Sequence, residues 1–113
     1  MASRYHIILP DPERARASGE FAFSSQGPEG FAAELQDALR GTGLFERWRG
    51  AQEEPDEVDP ALGATDPAAT VVGHQDRLQV GLTAVTSLPG DVFRHRLRLL
   101  AGSTWQLRDV SAA

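Results

Sequence analysis

From Ala69 onward the chain alternates apolar and polar residues in runs of strand length, separated by turn residues. Leu88-Pro89-Gly90-Asp91 has the composition of a β-turn, with Pro presetting φ at the second position and Gly accepting positive φ at the third. Pairing outward from it sets Leu82 opposite Leu97, Val80 opposite Leu99 and Thr86 opposite Phe93. A loop at Ala101-Gly102-Ser103 sets Leu99 opposite Trp105 and Leu97 opposite Leu107, and a turn around Gln75-Asp76 sets Val71 opposite Val80. These turns gather the apolar residues on one face, as a half-buried sheet requires. The pattern predicts a four-stranded antiparallel C-terminal meander over residues 69–74, 77–86, 92–100 and 104–110.

Upstream, Arg4 to Leu9 is β-rich and stops at Pro10, so it reads as an N-terminal strand; Phe21 to Ser24 reads as a short second one. Pro10 to Glu20 is polar and reads as a loop. Gly27-Pro28-Glu29 has the form of a helix start, because Pro lacks an N–H that would have no partner there and Glu29 meets the positive end of the dipole. Phe31, Leu35, Ala38 and Leu39 recur at helical spacing, Gly41 and Gly43 mark a stop, and Leu44, Phe45 and Trp48 resume the stripe. The result is one broken amphipathic helix whose stripe of Phe31, Leu35, Leu39, Phe45 and Trp48 covers one face of the sheet. Residues 53–66 hold six acids and two prolines and read as a mobile acidic linker without regular structure. The expected fold is α+β, a single domain over residues 1–113.

Composition narrows the chemistry. With 41% hydrophobic and 24% charged residues, the chain can bury a core and wholesale disorder is excluded. The absence of cysteine removes disulfides, thiol catalysis and cysteine-based zinc modules. The chain also has neither Lys nor Asn, which removes the P-loop lysine, Schiff-base chemistry and N-glycosylation. The only apolar run near the N-terminus is too short for a signal peptide or membrane span, so a cytoplasmic location and no membrane partner are expected. Net charge is −5 but uneven: residues 1–66 carry −7 and residues 67–113 carry +2. An acidic chain lacks the net basic footprint of general nucleic-acid binding, but the split suits complementary patches.

In the meander register the alternate face carries Arg94, Arg96 and Arg98 on one strand and Arg108 on the next, with Arg96 opposite Arg108. Like charges facing each other across a sheet repel, so something must compensate them. Arg forks suit carboxylates and phosphates, which makes these four the candidate binding residues for an acidic protein partner. The plainer account is a solvated sheet face offset by the acids of residues 53–66.

The three histidines fall on different elements with no HExxH spacing, so no metal and no other cofactor is expected. His95 would pair with Asp109 across the sheet, but no GxSxG elbow or nearby Ser completes a triad. Gly41-Thr42-Gly43 follows a helix and has Glu46 where a dinucleotide fingerprint needs its third Gly, so it reads as helix punctuation. Asp56-Glu57-Val58-Asp59 lacks the spacing and central Gly of a calcium loop. Trp48 and Trp105 sit on apolar faces and read as core.

With nearly every recognisable catalytic device missing, the leading expectation is a non-catalytic protein-binding domain of adaptor, inhibitor or immunity-like type. A small-ligand protein or enzyme with a site between helix and sheet edge is the alternative. Nucleic-acid binding through the Arg face comes third.

Overall fold

The computed structural model describes residues 2–113. In chain order the elements are β1 (Ser3–Leu9), α1 (Pro12–Arg16), α2 (Pro28–Arg40), α3 (Gly43–Gly50), β2 (Thr70–Asp76), β3 (Gln79–Thr86), α4 (Gly90–Ala101) and β4 (Gln106–Ala112). The four strands form one antiparallel sheet in the order β2-β3-β1-β4. The α+β class, the single antiparallel sheet and its N-terminal and C-terminal strands are as the sequence predicts. The connectivity is not a meander. It is a doubled split βαβ, in which β3 runs between β1 and β2, and β1 between β3 and β4, the ferredoxin-like arrangement.

The decisive difference lies at residues 92–100, expected as a strand and found inside α4. Val92, Phe93, Arg96, Leu97, Leu100 and Ala101 are buried there, the spacing of one helical face. Pro89 precedes the helix, Asp91 lies in its first turn and Gly102 ends it at φ 59°, so Leu88-Pro89-Gly90-Asp91 opens a helix where a hairpin turn was expected. β1 takes the vacated place beside β3: Leu82 pairs with Ile7 and Val80 with Leu9, and Leu107 of β4 pairs with the other edge of Ile7. The pairings expected for Leu97 and Leu99 therefore do not exist.

Two smaller corrections follow from local geometry. The β2–β3 turn lies at Arg77-Leu78, with Arg77 at φ 58° and the Gln75 side chain donating to the carbonyls of Arg77 and Gln79. The register consequently sets Val71 opposite Ala84, and Gln75 opposite Val80. Phe21 to Ser24 is not a strand; Phe23 is buried edge-on to Phe31, and its N–H donates to Leu100 O.

The helices lie on one face of the sheet. α2 begins at Pro28, as its sequence predicts, and buries Phe31, Leu35 and Leu39 against β2 and β3. Its backbone approaches so closely that a Cβ on Gly73 of β2 would overlap Pro28 O. Tyr5 of β1 stacks on Phe93 of α4 with ring centroids 4.1 Å apart, which seats α4 beside α2 on the same face. The buried apolar side chains, Ile8 and Phe45 excepted, form one cluster.

Candidate binding surface

The four expected arginines do not form one surface. Arg94 and Arg98 lie one turn apart on the exposed side of α4, Arg96 points the opposite way and is fully buried, and Arg108 stands on β4. A helix turns 100° per residue, so residues that would share a strand face diverge.

Arg96 carries a structural task that no sequence pattern announces. Its guanidinium donates to Ala38 O in the last turn of α2, and to Leu62 O and Ala64 O in the acidic segment. Among the described residues it forms no ion pair with a carboxylate. Its positive charge instead meets the negative end of the α2 dipole and carbonyls that would otherwise lack donors. Burial pushes its pKa down from the usual arginine value. The ring of Phe45 lies 5.8 Å from its Cζ.

Residues 53–66 are accordingly not an unstructured connector. Short 3-10 helices span Pro55–Glu57 and Pro60–Gly63, Arg49 Nε donates to Pro55 O, and Asp66 N donates to Leu39 O. Arg49 also reaches Asp56 at 3.5 Å. Asp66 is buried and accepts from Ser87 N, Thr86 Oγ1 and Ala68 N. The Ser87 and Thr86 bonds hold its carboxyl below the usual aspartate range against the opposing effect of burial.

The histidines are also redistributed. His95 is on α4 and not across from Asp109; its ring centroid lies 4.4 Å from that of Trp48, and its buried Nδ1 has no hydrogen-bond partner among the described residues. Burial, then the charges of Arg96 and Arg98, push its pKa down. Asp109 lies opposite His6.

The helices leave the other face of the sheet uncovered. Strand alternation and register order that face in rows. Thr70, Val85, Arg4 and Ser111 form one; Val72, Thr83, His6 and Asp109 the next; His74, Gly81, Ile8 and Gln106 the third. Thr83 Oγ1 is 3.3 Å from His6 Nδ1. The His74 ring lies over Gly81, where any Cβ would collide with it. A shallow depression of about 360 Å³ opens among His6, Ile8, His74, Asp76, Arg108 and Asp109. Thr83, His6 and Asp109 bring a hydroxyl, an imidazole and a carboxylate into one row, but no hydrogen bond joins His6 to Asp109 among the described residues.

The cleft nearest the expected helix–edge position, about 490 Å³, lies between α1 and the residues entering β4. Several of its polar groups are engaged locally, whereas the Arg14, Ser103 and Gln106 side chains make no hydrogen bond among the described residues. Asp11 caps Arg14 N, Ser18 donates to Ala15 O, Thr104 to Ala101 O and Trp105 Nε1 to Gly102 O. Among the described residues no three His, Asp or Glu side chains are grouped to hold a metal ion, and no helix is long and apolar enough to cross a membrane.

Among the described residues the large apolar side chains left exposed are Val72 on the open face at 65%, Leu78 in the β2–β3 turn and Val110 on β4. The sequence pattern implies such a second face, but taking residues 92–100 as a strand populates it with Arg94, Arg96 and Arg98, where the structure places the alternate residues of β1. Comparison with known proteins adds nothing to this picture: no family model, curated protein or solved structure matches the chain.

Proposed function

We propose that the protein is a non-catalytic module that binds another protein on the uncovered face of its sheet. The observation that carries this reading is the distribution of exposed apolar side chains. The helix layer presents charged and polar groups to solvent, whereas the open face carries the exposed Val72 on edge strand β2, with Val85 diagonal to it on β3 and Thr83, His6 and Asp109 continuing its row. An exposed apolar side chain among polar neighbours on an uncovered sheet face is a feature of protein interaction surfaces. The shallow, solvent-open depression favours the same conclusion, because catalysis and small-ligand binding call for an enclosed pocket with convergent polar groups. Arg94 and Arg98 lie on the opposite layer and serve as the internal control.

The test is affinity capture from a lysate of the source organism with three proteins: wild type, Val72→Glu/Val85→Glu, and Arg94→Gln/Arg98→Gln. A partner lost only with the valine variant supports the open face. A partner lost only with the arginine variant transfers the function to α4, and one retained by both variants refutes the reading.

A further inference from the structure

The sheet ends in two edge strands, each presenting backbone N–H and C=O groups with no strand beyond it. The two edges are treated differently. On β2, Val71 N donates to Gln36 Oε1 at 3.0 Å, so helix α2 takes up one outward backbone donor of that edge. β4 packs chiefly against β1, and every residue from Arg108 to Ala113 is exposed. Val110 on this strand is 44% exposed. Among the described residues no carboxylate forms an ion pair with Arg108.

We propose that the free edge of β4 pairs with β4 of a second copy of this chain, antiparallel and about a two-fold axis between Arg108 and Asp109. The strand is chemically self-complementary. Gln106-Leu107-Arg108-Asp109-Val110-Ser111 runs polar, apolar, cation, anion, apolar, polar, and reads as its own complement when reversed. This register sets Arg108 opposite the second copy's Asp109, Leu107 opposite its Val110 and Gln106 opposite its Ser111, each contact occurring twice. Opposite charges and paired apolar residues are the cross-strand combinations that stabilise an antiparallel ladder.

The register shift in β4 makes this pairing geometrically consistent. Leu107 and Val110 are three residues apart, so in a regular strand they would point to opposite faces. The bulge between the Ile7↔Leu107 and His6↔Asp109 pairs inserts one residue, and Val110 consequently returns to the helix-side face with Leu107, opposite Tyr5 and Ile7. Gln106, Asp109 and Ser111 share the open face, and Arg108 borders the same depression as Asp109. A two-fold axis perpendicular to the sheet then matches like faces with like. It joins two four-stranded sheets into one of eight strands with all helices on one side. The pairing uses the edge alone, so it is independent of whether the open face binds a protein.

Sedimentation equilibrium tests the proposal, with Arg108→Asp, Asp109→Arg and the double swap Arg108→Asp/Asp109→Arg beside the wild type. Both positions are exposed, and far-ultraviolet circular dichroism checks that each variant keeps the fold. The wild type is expected to dimerise with an affinity that weakens as salt rises. Each single swap turns two attractive contacts into repulsive ones and should weaken association roughly tenfold or more. The double swap restores both pairs and should recover it. Because the chain has no cysteine, a spin label on Ser111→Cys gives a second reading: with the bulge absorbing one residue, Ser111 and Gln106 are four strand rises apart, so the two label sites should lie about 14 Å apart along the paired strands. A wild type that remains monomeric up to about 1 mM overturns the proposal. So does a dimer that both single swaps leave intact, or a label distance that fits another interface.

Discussion

Replacing Arg96 with Met tests the account of how the acidic segment is held. Methionine approximates the length of the arginine stem and leaves no polar atom to bury. The change removes three charge-assisted hydrogen bonds to Ala38 O, Leu62 O and Ala64 O. Bonds to a charged group contribute about 1.5–3 kcal/mol each, but removing a buried guanidinium also relieves its desolvation. The second effect wins where both partners can be replaced by apolar groups. Here the acceptors are backbone carbonyls, which no side-chain substitution removes, and Ala38 O stays enclosed at the end of α2. Leu62 and Ala64 are less buried, so their carbonyls can turn to water when the segment detaches. The net loss should therefore be about 3 kcal/mol, a large share of the roughly 5–15 kcal/mol that a domain of this size possesses. The corresponding fall in Tm is about 13 °C for a chain of 113 residues. Urea unfolding measures the loss, and amide hydrogen exchange should show residues 60–66 opening before the sheet. Arg96→Lys should recover only part of the loss, since one ammonium cannot span α2 and the 62–64 backbone as the planar fork does. Stability of Arg96→Met within about 0.5 kcal/mol of wild type would refute the reasoning.

Three further outcomes are expected. Gly73→Ala should cost about 2–4 kcal/mol because its Cβ meets the Pro28 backbone, whereas Gly81→Ala should cost under about 1 kcal/mol because the exposed His74 ring can swing aside; paired urea titrations compare them. Asp66 has a folded pKa below its unfolded value, so its contribution is complete above the unfolded value and is lost as pH falls through the folded one. Asp66→Asn should be less stable than wild type at pH 7 and lose less stability on acidification below about pH 4, read from melting temperatures across pH. The folded pKa of His95 is also lowered, so the unfolded chain binds the extra proton. Stability should fall as pH drops below about 6.5 and level off below the folded pKa, and His95→Phe should flatten that slope.

Local chemistry along the chain determined several elements by itself. The start of α2 at Pro28, its break at Gly41 to Gly43, the N-terminal strand, a hairpin within residues 70–86 and a last strand near the C-terminus all follow from caps, turn residues and hydrophobic period. Each of these signals acts within a few residues of its cause.

Only the tertiary structure decided the rest, and Arg96 shows why. As a helix, residues 90–101 place a charged side chain in the middle of an apolar stripe, which is costly in isolation. As a strand, they move Arg94, Arg96 and Arg98 together to a solvated face, so period 2 is the better reading of the segment alone. The helix is acceptable because Ala38, Leu62 and Ala64, distant in sequence, offer three carbonyls to that guanidinium. Those acceptors exist only once α2 has ended and the acidic segment has turned back over it. With α4 helical, β1 is left to pair with both β3 and β4, and its Tyr5, Ile7 and Leu9 become the centre of the sheet. The open face and the free β4 edge follow from that placement, because a surface is defined by what the rest of the chain leaves uncovered.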